Sequence, residues 1–244
     1  IKCRVGGLEP AATVIVATVR ALKMHGGVPK TALGTEDVAA VKRGIPNLMR
    51  HVENVRKFRV RPVVSLNRFA ADTTAELDAV IEACRAADVP VALTEAHARG
   101  GEGTLELADA VLDLIDREPL GFRPIYDLEP RLAEKIETIA REIYGADGVD
   151  FVGSAPKDIA ALESIGLGNV PVCMAKTQYS LSDDPTKLGA PKGFRITVRQ
   201  VTPSAGAGFV VAHTGEIMTM PGLPKRPAAE AMTVSEDGTI TGLF

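Results

Sequence analysis

The sequence predicts an α/β fold, with strand–loop–helix units on a mainly parallel sheet followed by a smaller α+β C-terminal region. Three observations predict it. Short apolar, β-branched runs alternate with stretches of helical periodicity as far as Gly145. Those runs end in polar or glycine-containing loops, as crossover units on a parallel sheet do. After Gly189 the helical stripes stop and short β segments take over.

Thr13 to Val19 is β-branched and apolar, and reads as a buried strand entering a turn at Lys23–Gly27. From Asp37 on, Val38, Val41, Ile45, Leu48, Val52 and Val55 recur at three- and four-residue steps. That is a helical stripe, which Gly44 and Pro46 should break or restart. Pro62 to Leu66 is a strand, with Asn67, Arg68 and Phe69 in the loop at its end. Thr73 and Glu76 have capping-box spacing for a helix that turns Leu77, Val80, Ile81 and Cys84 inward. Val89 to Thr94 is the next strand and Gly100–Gly103 the next turn. Leu105, Ala108, Leu112 and Ile115 mark the helix after it. Leu132, Ile136, Ile139 and Ile143 form another, started near Pro130 and stopped at Gly145. Arg195–Val201 and Phe209–His213 then read as strands, with a last hairpin around Glu236-Asp237-Gly238. A soft boundary is expected near 118–124 or 150–170.

At 244 residues the chain is long enough for one large domain or two smaller ones with their own cores. A net charge of −3 gives no electrostatic case for nucleic acid or an anionic membrane surface. No run approaches the roughly 18 apolar residues that span a bilayer. Cys3, Cys84 and Cys173 are too few and too scattered for a disulfide framework or a zinc knuckle, and fit a reducing cytoplasm.

The stretch from Cys173 to Phe194, CMAKTQYSLSDDPTKLGAPKGF, has neither helical nor strand periodicity. Long loops of this kind in compact domains are mostly functional or disordered. Tyr179, Leu181, Leu188 and Phe194 offer anchors that argue for order. Lys176 and Thr177, with Ser180, Ser182, Asp183 and Asp184, are types that orient phosphate oxygens or hydrated magnesium; the paired acids equally suit a cap or a solvated turn. Gly100-Gly101-Glu102-Gly103 before a helix suits an anion nest or a plain turn. Gly189–Phe194 is small and stiff enough to lie against a flat purine. Ser204–Gly208 suggests a close backbone approach or tight strand packing, and His25 a satisfied structural histidine. By pattern alone Phe69 is a core residue under a loop. No nucleophile elbow, metal-ligand histidine pair or G-x-x-x-x-G-K-[ST] phosphate loop occurs.

VATVRALKMHGGV (16–28), NLMRHVENV (47–55), NRFAADTTAEL (67–77), GGEG (100–103), EKIETIAREIYGADGV (134–149), CMAKTQYSLSDDP with GAPKGF (173–194), SAGAGF (204–209) and IMTMPGLPKRPAA (217–229) occur in this order. Together they resemble the C-terminal part of formate–tetrahydrofolate ligase over essentially the whole chain. The resemblance implies ligation of formate to tetrahydrofolate with MgATP through formyl phosphate, giving 10-formyltetrahydrofolate. It also implies a homo-oligomer, a tetramer, and a monovalent cation. Residues 1–30 would then complete an N-terminal nucleotide-binding domain. Residues 31–150 would form the folate-binding domain, and 151–244 a C-terminal domain with the adenine-pocket loop.

In that family the pterin ring lies between a phenylalanine and a tryptophan. The resemblance places Phe69 in the first role, beside Asn67 and Arg68. His97, in TEAHARGGEG, stands where the tryptophan would be, which implies weaker stacking. Gly100 and Gly101 follow it. Lys176 would contact phosphate, and Ala190, Pro191, Lys192 and Gly193 the adenine. Because the family's phosphate loop belongs to a missing N-terminal half, the chain reads as a C-terminal fragment, inactive alone; a natural short homologue is the alternative. Two other readings stay open: a non-catalytic folate- and nucleotide-binding module, or a piece that chiefly builds the oligomer.

Overall fold

The computed structural model describes residues 1–117, 120–215 and 227–242. A single-turn helix α1 (Lys2–Gly6) leads to β1 (Ala12–Ala17), α2 (Val19–His25), α3 (Val38–Lys57), β2 (Arg61–Asn67) and α4 (Thr74–Ala86). Then come β3 (Val91–Thr94), a one-turn α5 (Ala96–Arg99) and α6 (Leu105–Ile115). Strands β1, β2 and β3 are parallel and lie side by side in that order. Val41, Leu48 and Val52 of α3 and Leu77, Val80 and Cys84 of α4 pack with Ala17, Val64 and Leu66 in one apolar cluster. The crossover pattern is therefore the one the alternation of strands and helices implies.

Local details depart from expectation where tertiary contact overrides pattern. β1 stops at Ala17, because the Thr18 hydroxyl accepts the Ala21 N–H at 3.0 Å and caps α2, so Val19 opens a helix. Only one face of β1 is buried. Ile15 and Ala17 turn to the α3–α4 cluster, while Val14 and Val16 are 41% and 67% exposed.

Helix α3 runs unbroken through Gly44 and Pro46. Gly44 serves close approach: a Cβ there would lie 2.0 Å from the Leu22 carbonyl oxygen of α2. Buried residues on both sides of Pro46 hold the helix despite one lost N–H donor. In α6 the stripe chosen by periodicity faces solvent. Leu105, Leu112 and Ile115 are exposed, Leu114 is buried, and Leu107, Ala110 and Val111 are partly covered. LELADAVLDLI carries apolar residues on both faces, so its period alone could not decide which met the sheet.

The capping box at Thr73–Glu76 is present, but Glu76 does more than cap. It is buried and lies 2.9 Å from the Nζ of Lys23, which is buried too rather than in a turn. Glu76 also accepts the Asp37 N–H at 2.8 Å and the Thr73 N–H at 3.2 Å, and Lys23 donates to the Thr35 carbonyl at 3.0 Å. One ion pair thus joins α2 to the starts of α3 and α4.

The second region has α7 (Leu132–Ile139), which widens into a π-helical turn at Ala140–Tyr144 instead of staying α-helical to Gly145. Next are β4 (Gly148–Phe151) and α8 (Ala155–Ser164), both unassigned by sequence, then β5 (Val172–Ala175), β6 (Arg195–Ser204) and β7 (Phe209–Thr214). The sheet order is β4-β6-β7-β5: β6 and β7 are antiparallel, and β4 and β5 are parallel to the strands they flank. Ile136, Val149, Ile159, Val172, Phe194, Ile196 and Val210 form its core. Ser204–Gly208 neither packs strands closely nor approaches other backbone. A Cβ on Gly206 or Gly208 would meet nothing within 4 Å, and Gly208 turns the β6–β7 connection at φ 71°. β8 (Thr233–Val234) and β9 (Ile240–Thr241) form the expected final hairpin. Most of the 217–229 motif, and residues 118–119 of the soft boundary, lie outside the described residues. Among the described residues no helix is long and apolar enough to cross a membrane.

Candidate functional site at the strand ends

The carboxyl ends of β1, β2 and β3 carry three loops on one edge of the sheet, the usual ligand position in open parallel sheets. Asn67 pairs in register with Thr94, and the Arg68 N–H continues the ladder onto the Thr94 carbonyl at 2.9 Å. Below them the Ser65 and Thr94 hydroxyls are 2.9 Å apart in the interior, which stiffens both strand ends. Phe69 sits on a turn closed in both directions: its N–H donates to the Asp72 carboxylate at 2.8 Å and the Asp72 N–H to its carbonyl at 3.0 Å. The ring is 40% exposed, and the Arg20 guanidinium lies over it at 5.4 Å. Phe69 is therefore a presented surface aromatic, not a core residue.

His97 lies on α5, exposed. Glu95 just before it is 3.4 Å from Arg68 and 3.6 Å from Arg99, so one carboxylate links the β2 and β3 loops around His97. The glycine turn is a 3-10 segment, Gly100–Thr104, running into α6. Gly100 takes φ 58° and ψ −139°, a conformation L side chains avoid. Gly101 is exposed and its carbonyl accepts from the Thr104 hydroxyl at 2.8 Å. The Gly103 carbonyl accepts the Glu95 N–H at 2.9 Å, folding the turn back onto α5.

The loop after β5 is ordered by its own polar groups. Lys176 Nζ donates to the carbonyls of Thr177 (2.9 Å), Ser182 (2.9 Å) and Ser180, which engages all three ammonium protons. Burial lowers its pKa to about 8, with the Asp183 charge opposing. The Asp183 carboxylate accepts the Thr197 N–H at 2.9 Å, and Asp184 accepts from the Thr186 N–H and hydroxyl at 2.9 and 2.6 Å. Leu181 and Phe194 anchor the loop as expected, whereas Tyr179 is exposed with the Lys30 ammonium 4.9 Å above its ring.

Gly189 docks this loop onto the first region: its carbonyl accepts from Asn47 Nδ2 at 2.8 Å and its N–H donates to His25 Nδ1 at 3.2 Å. His25 is thus satisfied and neutral there, with its pKa lowered by burial and by His51; burial and Lys176 lower that of His51. Beside Gly189, Met24, Lys30, Tyr179, Pro185 and Leu188 line a cleft of about 250 Å³. Ala190 and Pro191 are partly covered and Lys192 and Gly193 exposed, and none of the four lines that cleft.

The sequence model described as Formate--tetrahydrofolate ligase matches residues 1–244. The chain belongs to the formate–tetrahydrofolate ligase family. A curated relative, named formate–tetrahydrofolate ligase, from Symbiobacterium thermophilum is 58% identical over 245 aligned positions, which cover 100% of this chain and 44% of that protein. The chain thus spans less than half the length of this relative.

Within this member of the formate–tetrahydrofolate ligase family, sequence reasoning placed Asn67, Arg68, Phe69, His97, Gly100 and Gly101 on neighbouring strand ends, where the structure holds them. It missed Arg20, Asn47 and Tyr179 as parts of the surroundings. The signal for Arg20 was a cation one turn beyond the end of an apolar strand; nothing local pointed to the long-range Asn47–Gly189 bond.

Proposed function

We propose that this chain supplies the folate-binding edge and the adenine side of an enzyme that joins formate to tetrahydrofolate with ATP. A formate oxygen attacks the γ-phosphorus and ADP leaves, giving formyl phosphate. The folate N10 then attacks the formyl carbon, phosphate leaves, and the nitrogen proton goes to solvent or base, leaving 10-formyltetrahydrofolate. Such phosphoryl transfer rests on positioning and charge neutralisation. The observation that carries the reading is the exposed Phe69 ring, held on a doubly closed turn under Arg20 beside the His97 loop. A pterin ring would stack on Phe69 and His97, with Asn67, Arg68, Gly100 and Gly101 around it.

The cleft flanked by Tyr179 and Leu188 would take the adenine, with Ala190, Pro191, Lys192 and Gly193 shaping its approach. With its protons on loop carbonyls, Lys176 would act by holding this loop in shape. The described residues contain no group of three or more His, Cys, Asp or Glu side chains fit to hold a metal. Magnesium would therefore arrive with the ATP phosphates, and a monovalent cation is assigned no residues here. A folate domain at 31–150, an adenine-side domain at 151–244, a cytoplasmic setting and a homo-oligomer complete the reading.

Calorimetric titration of tetrahydrofolate tests it. Loss of the stacking face in Phe69→Ala should weaken binding roughly tenfold, since stacking is worth about 1–3 kcal/mol per ring. His97→Trp should tighten binding. Unchanged affinity in Phe69→Ala overturns the stacking assignment. Ligase turnover by the 244-residue chain alone would refute its dependence on further polypeptide.

A further inference from the structure

At the opposite end of the same sheet, Arg56, Arg61, Arg85 and Arg117 surround a cleft of about 490 Å³. It lies at the start of β2 and before β3, whereas Phe69 follows the end of β2, so the two sites are roughly 20 Å apart at ~3.3 Å per strand residue. Its volume falls in the range of about 300–1,000 Å³ typical of small-molecule sites. Among the described lining residues, the four arginines stand with one carboxylate, Asp88. Arg85 and Arg117 have no ion-pair partner among the described residues. Arg56 is fixed in place, its Nη2 donating to the Ala87 and Asp88 carbonyls at 2.9 and 2.7 Å. Val60, Val89 and Leu114, all buried, line the cleft as an apolar floor.

Arginines that only neutralise helix C-termini need no cavity between them, and surface cations that only keep a protein soluble need no apolar floor. We infer that this cleft binds an organic phosphate, its phosphate on the arginine rim and its apolar body on the floor. A phosphate monoester carries close to two charges at neutral pH and takes paired N–H donors from guanidinium groups, so it matches this rim better than a single carboxylate.

Phenyl phosphate is a suitable probe, with inorganic phosphate as its control. Calorimetry on the full chain should show one millimolar-or-tighter site for phenyl phosphate and clearly weaker binding of inorganic phosphate. Arg85→Ala/Arg117→Ala should weaken phenyl phosphate by roughly tenfold or more, given the strength of charged hydrogen bonds. Phenylglyoxal labelling read by peptide mass should show Arg85 and Arg117 shielded by the probe in the unaltered chain, which decides the matter even if the variant folds poorly. Absence of shielding, equal binding of the two phosphates, or full binding by a folded double variant would each overturn the assignment.

Discussion

Replacing Glu76 with Gln keeps the size and the acceptor oxygen of the side chain but removes its charge. The Lys23 ammonium, 1% exposed and 2.9 Å away, would then be left in the interior with neutral acceptors, the amide oxygen and the Thr35 carbonyl, and no counter-charge from position 76. Burial alone would raise the Glu76 pKa, yet the Lys23 bond and the Asp37 and Thr73 N–H groups hold it below its ordinary value, so the carboxylate is ionised in the native chain. Breaking such a buried pair from one side costs about 3–5 kcal/mol. For a chain of this size that is a melting-point fall of roughly 6–20 °C, at about 2–4 °C per kcal/mol. Scanning calorimetry would read it directly. The double variant Lys23→Met/Glu76→Gln removes the stranded charge and should recover a large part of the loss. If it melts no higher than Glu76→Gln, the pair is not the source of the stability, and the reasoning fails.

Three further outcomes are expected. His25 Nδ1 accepts the Gly189 N–H hydrogen bond only when unprotonated, and its folded pKa is lowered, so its contribution is present above its ordinary value of about 6.5 and is lost as pH falls through the folded pKa. Hydrogen-exchange protection of the Gly189 amide should drop over that window; an identical drop in His25→Ala would exclude the latch. Lys176→Ala removes the centre of the carbonyl cage, so tryptic cleavage after Lys187 and Lys192 should accelerate about tenfold as the loop opens locally. An unchanged cleavage rate would show that the cage is dispensable. Gly44→Ala forces a Cβ to 2.0 Å from a backbone oxygen and should cost about 1–3 kcal/mol as α2 and α3 separate, seen as a lower melting point. A melt matching the parent's would contradict the close crossing.

Hydrophobic period made most of the first sheet legible: Val38–Val55, Pro62–Leu66 and the Thr73–Glu76 box all landed on real elements. It failed where both phases of a segment are apolar, as in α6, because only the sheet decides which face is covered. It failed again at Gly44, whose meaning is the helix beside it. Polar residues were the hardest to read. Lys176, Asp183 and Asp184 have the chemistry of a phosphate or metal site, yet their partners are the backbone and hydroxyls of their own loop and the Thr197 N–H early in the next strand. Type and spacing reveal what a side chain can bond, not whether the chain itself reaches it first. The positions of Phe69 and His97 were legible because loops at strand ends are placed by the sheet, whereas the Asn47–Gly189 bond spans most of the chain and has no local trace.

The outer side of β1 has a practical consequence. The strand pairs only with β2 among the described residues, so its other row of amide and carbonyl groups runs alongside bare Val14 and Val16. An exposed apolar edge strand is a template that adds its own kind. Handled in isolation at high concentration, the 244-residue polypeptide should self-associate by strand addition at this edge, and Val16→Lys should suppress that added association by placing a charge beside it.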